Sequence, residues 1–325
     1  LPAGWNAPEP FEQVVEVAGV ELFLVGLVAS REDGGDVVGS AAEPGSFAVA
    51  RAYFELLERC AVIDALQKGA STYALLDEAG DRIGDASEQH VFPMTAEDAP
   101  WAYSKSNGVA AGPDWQSACR SARAELVERH AVLTSWYGLA QPSKLDVAQD
   151  TTFAALGELY DVETYAFAAT RESLDVIGAF GFPKAPTSPL IIGFGAGLDH
   201  AEALLRAQRE CLQRLAFLWG EEIPTEEPAF NKSPDYHQEY FLWPAVHERL
   251  RSWLGGGHLG RAMLTPPQSG ASEAHCFVDL TPRHLEHTAF RVAKAMATYE
   301  LPLVFGRGHP RIDVRDERLL VHPIA

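Results

Sequence analysis

Three stretches of this 325-residue chain repeat one signature: Glu55-Leu56-Leu57-Glu58-Arg59, Glu125-Leu126-Val127-Glu128-Arg129 and Glu210-Cys211-Leu212-Gln213-Arg214. Each first glutamate is preceded at the same distances by alanines: Ala48 and Ala52, Ala118 and Ala122, Ala203 and Ala207. Residues three and four apart share a helical face, so Glu55 with Glu58, and Glu125 with Glu128, present two carboxylates side by side. Only Gln213 breaks the charge pattern. Small residues at that period let a helix backbone approach a neighbouring element or a ligand closely. A single Glu-x-x-Glu-Arg is an ordinary solvated helix face with an intrahelical ion pair. Three copies in one alanine frame, each behind a glycine-bearing segment, are not explained by surface charge, although duplication of an ancestral unit would also produce them. Adjacent anions need a counter-charge, and the economical one is a hard dication bound through oxygen. Mg²⁺ takes one or two protein carboxylates and completes its octahedron with water and phosphate oxygens. Carboxylate pairs on several helices therefore suit a multi-metal nucleotide site.

The signatures recur with a period of roughly seventy to eighty-five residues, which predicts repeated strand–loop–helix units. Residues 1–12 carry prolines and a glycine and are expected to be irregular, and 14–29 read as one or two strands. The first unit has a loop at 39–45 and a helix over 46–66 with Ser46 as N-cap, followed by a strand at 72–76. The second has a loop at 104–112 and a helix over 114–137 opened by Asp114, an acidic residue suited to the positive helix end, with strand material at 162–169. The third has a strand at 189–192, a loop at 193–197 and a helix over 199–219. Beyond lie a surface excursion at 221–235, a helix over 236–254 broken by Gly255 to Gly257, a strand at 276–280, a helix over 283–299 and a Pro/Gly-containing tail at 301–325. The expected fold class is α/β, with the repeated units sharing one core in a single domain over 1–325.

Composition narrows the partners. Against 26 basic residues stand 45 acidic ones, a net charge of -19, and no local basic patch offsets it, so neither nucleic acid nor an anionic membrane is an expected partner. Cys60, Cys119, Cys211 and Cys276 form no Cys-x-x-Cys pair, which suggests neither a zinc site nor a disulfide framework and fits a reducing cytoplasm. The apolar run 20–29 is too short to span a bilayer and reads as a buried strand in a soluble, cytoplasmic protein. No Ser-His-Asp or Cys-His signature stands out, and His200, His237, His309 and His322 read first as structural or exposed.

Gly193-x-Gly195-x-Gly197 is neither a Walker loop nor a dinucleotide fingerprint, yet glycines before a carboxylate helix let backbone N–H groups approach phosphate. The block Ser106-Asn107-Gly108-Val109-Ala110-Ala111-Gly112, followed by Ala118 through Glu125, Glu128 and Arg129, resembles the YcaO family. The third unit, Gly193 to Gly197 with Arg206, Glu210 and Gln213, is similar to its partner motif. Similarity continues through His237, Tyr240, Val278-Asp279-Leu280-Thr281 and His322-Pro323. The resemblance implies an ATP-binding fold in which Mg²⁺-bound ATP phosphorylates a backbone amide oxygen after, or as, a nucleophile adds to the amide carbon. Loss of phosphate then leaves an azoline, a thioamide or an amidine in a ribosomally made, modified peptide. Carried onto this sequence, Glu55, Glu58, Glu125, Glu128 and Glu210 would be metal carboxylates, and Ser121 would face the nucleotide. Arg206 and Gln213 would complete the phosphate environment, and Arg311 would be a further phosphate contact. Phosphoryl transfer needs mainly positioning and charge neutralisation, so no protein nucleophile is required. The implied partners are a precursor peptide and a separate peptide-recognition or sulfur-supplying protein, and a homodimer is the default assembly.

The first unit departs from the family pattern. Its loop, Gly39-Ser40-Ala41-Ala42-Glu43-Pro44-Gly45, lacks the family's Gly-Lys-Gly element, and Arg51 stands where a small hydroxyl residue is usual. Arg51 either reaches a phosphate or fills the nucleotide pocket, and the second case would make the chain a catalytically degenerate scaffold that binds a peptide or an active partner. The tail is also less proline-rich than in azoline-forming members, which counts against that product.

Overall fold

The alanine frame of each repeat meets glycines on a neighbouring strand. In a computed structural model describing residues 1–2, 4–31, 34–147, 151–169, 172–257, 263–264 and 274–325, the three signatures lie on helices α1 (Val49–Lys68), α2 (Trp115–Trp136) and α3 (His200–Leu218). Behind them run the strands Asp36–Pro44, Val109–Gly112 and Ile191–Gly197. A Cβ built on Gly39 would stand 2.2 Å from the Ala52 carbonyl oxygen and 2.2 Å from Leu56 N, and one on Gly193 would stand 2.2 Å from the Ala207 oxygen and 2.4 Å from Cys211 N. Ala52 and Ala207 precede their glutamates by the same interval, so strand and helix cross at one equivalent place in units one and three. Only glycine fits where backbone approaches backbone this closely.

These strands correct the expected loops. The glycines of 39–45, 104–112 and 193–197 lie largely in strands, and Ile191–Gly197 is buried at every position. Gly39, Gly112, Gly193, Gly195 and Gly197 serve helix packing, which the glycine spacing alone does not distinguish from a ligand loop. Helix α2 starts at the expected Asp114, whose side chain accepts from Ser117 N at 2.7 Å, and α3 starts likewise at Asp199, each cap contributing about 1 kcal/mol. Helix α1 enters from Ala48 with no side-chain cap, so Ser46 is not its N-cap.

Sheets and helices alternate in a cycle. The first sheet is an antiparallel meander of Glu9–Val17, Val20–Ser30 and Asp36–Pro44, so ordered strand begins inside the segment expected to be irregular. A five-stranded sheet orders Arg82–Ser87, Thr72–Leu76, Cys276–Asp279, Arg291–Met296 and Val109–Gly112. A four-stranded sheet orders Ile191–Gly197, Asp175–Pro183, Tyr160–Phe167 and Ser143–Leu145. Helix α1 packs on the meander and the five-stranded sheet, α2 on the five- and four-stranded sheets, and α3 on the four-stranded sheet and the meander. The cycle closes, and the signature faces turn inward on one another. Apolar clusters fill each joint: Leu22, Leu24 and Ala42 against Ala203, Ala207 and Leu215; Leu57 and Ala61 against Val109 and Val292; and Trp136 with Phe180, Phe194 and Trp253.

Two further expectations are corrected. The span 283–299 contains the strand Arg291–Met296 rather than a helix; it is buried along nearly its whole length, and a short run buried on both faces carries no periodicity to separate strand from helix. The span 236–254 is two helices, Pro234–Leu242 and His247–Leu254, because Pro244 cannot donate the hydrogen bond that would continue the first. Among the described residues no helix is long and apolar enough to cross a membrane.

Candidate functional site

The first glutamate of each signature is held in the same way. Ser40 N donates to Glu55 at 2.9 Å, Phe194 N donates to Glu210 at 2.7 Å, and the Gly108 N–H donates to Glu125. Four residues on, an arginine pairs back: Arg59 with Glu55 at 2.6 Å, Arg129 with Glu125, and Arg214 with Glu210 at 3.9 Å. Glu58 reaches across to the next unit and accepts from Ala111 N at 2.7 Å. Strand amides therefore fix where the carboxylates point.

Together they form a closed ring. Glu58 feels repulsion from Glu55 and Glu125, Glu128 from Glu125 and Glu210, and Glu210 from Glu55. Burial first, and then these neighbours, push Glu58 and Glu128 well above the usual carboxylate range, while Glu125 and Glu210 are raised against the opposing pull of Arg129 and Arg214. With their protons off, the five glutamates outnumber the three arginines, Arg59, Arg129 and Arg214, that pair directly with them. Its donors are all oxygen, which suits a hard cation. Among the described residues no three His, Cys, Asp or Glu side chains form a group that could hold an ion by themselves. The donor set thus fits a cation whose remaining positions are filled by water and phosphate oxygens rather than by a protein-only cage.

The other residues singled out in the sequence divide among three places. Gln213 is a strut: its amide nitrogen donates to Ser40 O at 3.2 Å, and its oxygen accepts from Arg51, whose other amino group pairs with Glu43 at 3.0 Å. Ser121 and Arg206, each one turn before its glutamate, line a cavity of about 270 Å³ between α2 and α3, with Ser117, Arg120 and Arg123. Arg311 lies elsewhere. Its guanidinium donates to Thr298 O at 3.1 Å and Glu300 O at 2.7 Å, and it lines a separate cavity of about 610 Å³.

Lys294 escaped sequence reading. Lys294 is 5% exposed, and its ammonium donates to Asn107 O at 2.7 Å and Lys105 O at 3.1 Å. Burial pushes it down to about 7, against the pull of Glu125. Asn107 in turn accepts from Arg129 at 3.1 Å. The signal was a lone lysine in the apolar run Val292-Ala293-Lys294-Ala295-Met296, since lysine is almost never fully buried without a partner. Assigning that run to a helix hid it.

A family model described as YcaO cyclodehydratase, ATP- and Mg²⁺-binding, matches residues 86–296. The chain belongs to the YcaO family. Similar solved folds include YcaO from Methanopyrus kandleri bound with AMPPCP and Mg²⁺, at 18% identity and TM-score 0.60, covering 91% of this chain and 86% of that one. The E. coli microcin synthetase McbBCD complex matches at 12% identity and TM-score 0.58, over 89% of this chain and 87% of that one. A heterocyclase in complex with substrate and cofactor matches at 16% identity and TM-score 0.55, over 89% of this chain and 49% of that longer one. At these identities the likeness is one of fold. No curated protein matches the chain significantly. The YcaO match begins at Ala86, so α2, α3 and the strand bearing Lys294 lie inside it, whereas α1, with Arg51, Glu55 and Glu58, precedes it.

Proposed function

We propose that the carboxylate ring is the Mg²⁺ and phosphate site of an ATP-dependent enzyme that activates a peptide backbone amide by O-phosphorylation, in the biosynthesis of a ribosomally made, modified peptide. The observation that carries this reading is the closed ring: five acidic side chains from three helices, oxygen donors throughout, each destabilising its neighbour's charge. Such a set is held as anions by cations between its members, and divalent ions completed by phosphate oxygens are what phosphoryl transfer uses. Bound ATP would supply the phosphoryl group that the amide oxygen takes, with ADP departing. A nucleophile, a side-chain thiol or hydroxyl for an azoline, a sulfide source for a thioamide or an amine for an amidine, adds to the amide carbon and gives up its proton, and elimination of phosphate breaks the C–O bond and leaves the product. Glu55, Glu58, Glu125, Glu128 and Glu210 carry the cations in this assignment. Strand amides and Arg59, Arg129 and Arg214 aim them, Ser121 and Arg206 face the nucleotide, and Arg51 with Gln213 closes the remaining side of the ring. The support from relatives is that the Methanopyrus kandleri protein is bound with AMPPCP and Mg²⁺ and that McbBCD is a synthetase complex. A precursor peptide and a separate peptide-recognition or sulfur-supplying protein are the partners this reading calls for.

A scaffold subunit is the second reading, and Arg51 favours it: the arginine is engaged with Glu43 and Gln213 at the one unit that lies outside the family match. Calorimetry of ATP or ADP with Mg²⁺ tests the leading reading. Binding is expected in the unmodified chain, weakened at least about a hundredfold in Glu125→Gln/Glu128→Gln, since removing charge-assisted contacts costs roughly 3 kcal/mol or more. Unchanged affinity in that double variant rejects the assignment. Binding without turnover in the presence of the natural partner and peptide supports the scaffold.

A further inference from the structure

Lys294 carries a charge that its packing does not call for. It pairs in register with Val109, between Val292-Ala293 and Ala295-Met296, and is buried. Its ammonium meets two carbonyl oxygens, Asn107 O at 2.7 Å and Lys105 O at 3.1 Å, and stands 5.4 Å from the centre of the Phe92 ring. Among the described residues no carboxylate touches it. A buried ammonium without a carboxylate in contact is costly, and a neutral donor would serve the same carbonyls. The charge itself therefore needs an explanation.

What the ammonium holds is the turn 105–108. Val109 N donates to Ser106 O at 3.1 Å, Gly108 has a φ of 68°, and Ala295 N donates to Gly108 O at 2.8 Å. Lys294 and Ala295 thus fix the carbonyls of Lys105, Asn107 and Gly108. Two contacts run from this turn to the ring. The Gly108 N–H donates to Glu125, and Asn107 Oδ1 accepts at 3.1 Å from Arg129, the arginine paired with Glu125. The charge acts on the same residue: burial raises the Glu125 carboxyl, and against it pull Arg129 and then Lys294. In the other two units Ser40 N and Phe194 N hold the equivalent glutamates, and the strands beside them, Val20–Ser30 and Asp175–Pro183, contain no lysine or arginine. The internal cation belongs to the second unit alone.

We propose that Lys294 is a positioning residue for the cation site: a fixed internal positive charge that holds the 105–108 turn and, through Gly108 N and Asn107, sets where Glu125 and Arg129 stand in the ring before an ion arrives. This rests on reading the ring as the Mg²⁺ and phosphate site.

The test is Lys294→Met in the full chain, which keeps the length of the side chain and removes its charge. Calorimetry gives the Mg²⁺ concentration at half-saturation with AMPPCP in excess, and urea unfolding gives the stability of the ligand-free chain. Half-saturation is expected to rise about tenfold, as losing about 1.4 kcal/mol would do, while the urea midpoint holds or rises because a buried charge has been replaced by an apolar chain. Asn107→Ala leaves its own carbonyl in place and removes the Arg129 bond, so it should also raise half-saturation. The double variant Asn107→Ala/Lys294→Met should go no further than the larger single one, since both act through one turn. An unchanged half-saturation in Lys294→Met overturns the proposal, as does additivity in the double variant. A rise accompanied by a lower urea midpoint also overturns it, because a merely structural lysine would give that result. Should Lys294→Met not fold, Asn107→Ala decides alone, an unchanged half-saturation being the adverse result. Failure of the ring reading is distinguishable: the unmodified chain would then bind no AMPPCP with Mg²⁺, and this proposal would fall with it.

Discussion

The carboxylate ring and the histidines packed against the C-terminal tail are both clusters of titratable side chains, and they differ in whether the protein itself completes them. His237 Nδ1 donates to His322 O at 2.9 Å, while its Nε2 accepts from Gly306 N at 2.9 Å and lies 3.0 Å from Gly306 O. His309 Nε2 donates to Pro302 O at 2.9 Å, and its Nδ1 accepts from Arg311 N at 3.1 Å. His322 Nε2 donates to Val304 O at 2.6 Å, and its Nδ1 accepts from Ile324 N at 3.3 Å. One donor and one acceptor are what a neutral imidazole offers, so the backbone uses up each ring, and on His309 and His322 an added proton would face an N–H. Burial accordingly pushes His237 and His309 down to about 4 and His322 well below the usual range. The ring of glutamates is pushed upward instead, by burial and by its own members, and the arginines beside it offset only part of that. A polar cluster with its hydrogen bonds complete holds the fold, whereas one with excess charge is built around something it binds.

The largest effect expected from this contrast is in acid. The histidines are depressed in the folded state, so their contribution is complete above about pH 6.5 and is lost as pH falls toward 4; for His237 and His309 together this amounts to about 4 kcal/mol between about pH 7 and about pH 5. The raised glutamates have the opposite sign: their contribution is complete below the unfolded carboxylate pKa and is lost as pH rises through the folded one. Urea unfolding across this range should therefore show a smaller loss in acid than the histidines alone would give, and Glu58→Gln/Glu128→Gln, which removes the opposing contribution, should steepen the fall in stability from about pH 7 to about pH 5; an unchanged pH profile in that variant would break the comparison.

Next in size is the loss of nucleotide binding in Glu125→Gln/Glu128→Gln, with the fold intact by circular dichroism. His237→Ala reverses that outcome: it strips partners from the Gly306 amide and the His322 carbonyl and should lower stability by about 2–3 kcal/mol in urea titrations. A cost near zero would mean that the histidine cluster is not structural. The smallest effect sharpens the contrast most. Glu128→Gln relieves repulsion in the ring, so the ligand-free protein should melt about 2 °C higher, while the gain in melting temperature that Mg²⁺ and AMPPCP give the unmodified chain should shrink. A lower melting temperature without ligand would show that Glu128 stabilises the fold.

The sequence by itself determined the three carboxylate helices, the acidic cap of α2, and membership of the YcaO family, because helix periodicity and the order of Glu, Ala and Arg along a helix are local properties written at fixed spacing. It did not determine that the glycines are strand positions against which α1 and α3 close, nor that Arg291–Met296 is a strand carrying a buried lysine. Those outcomes depend on what covers each face, and a residue such as Gly193 has the same identity in a ligand loop and under a helix. Only the tertiary structure decided that three helices close a cycle with three sheets, since a carboxylate becomes part of a ring through neighbours brought in from far along the chain, and that is where Glu58 meets Ala111 and Gln213 meets Ser40.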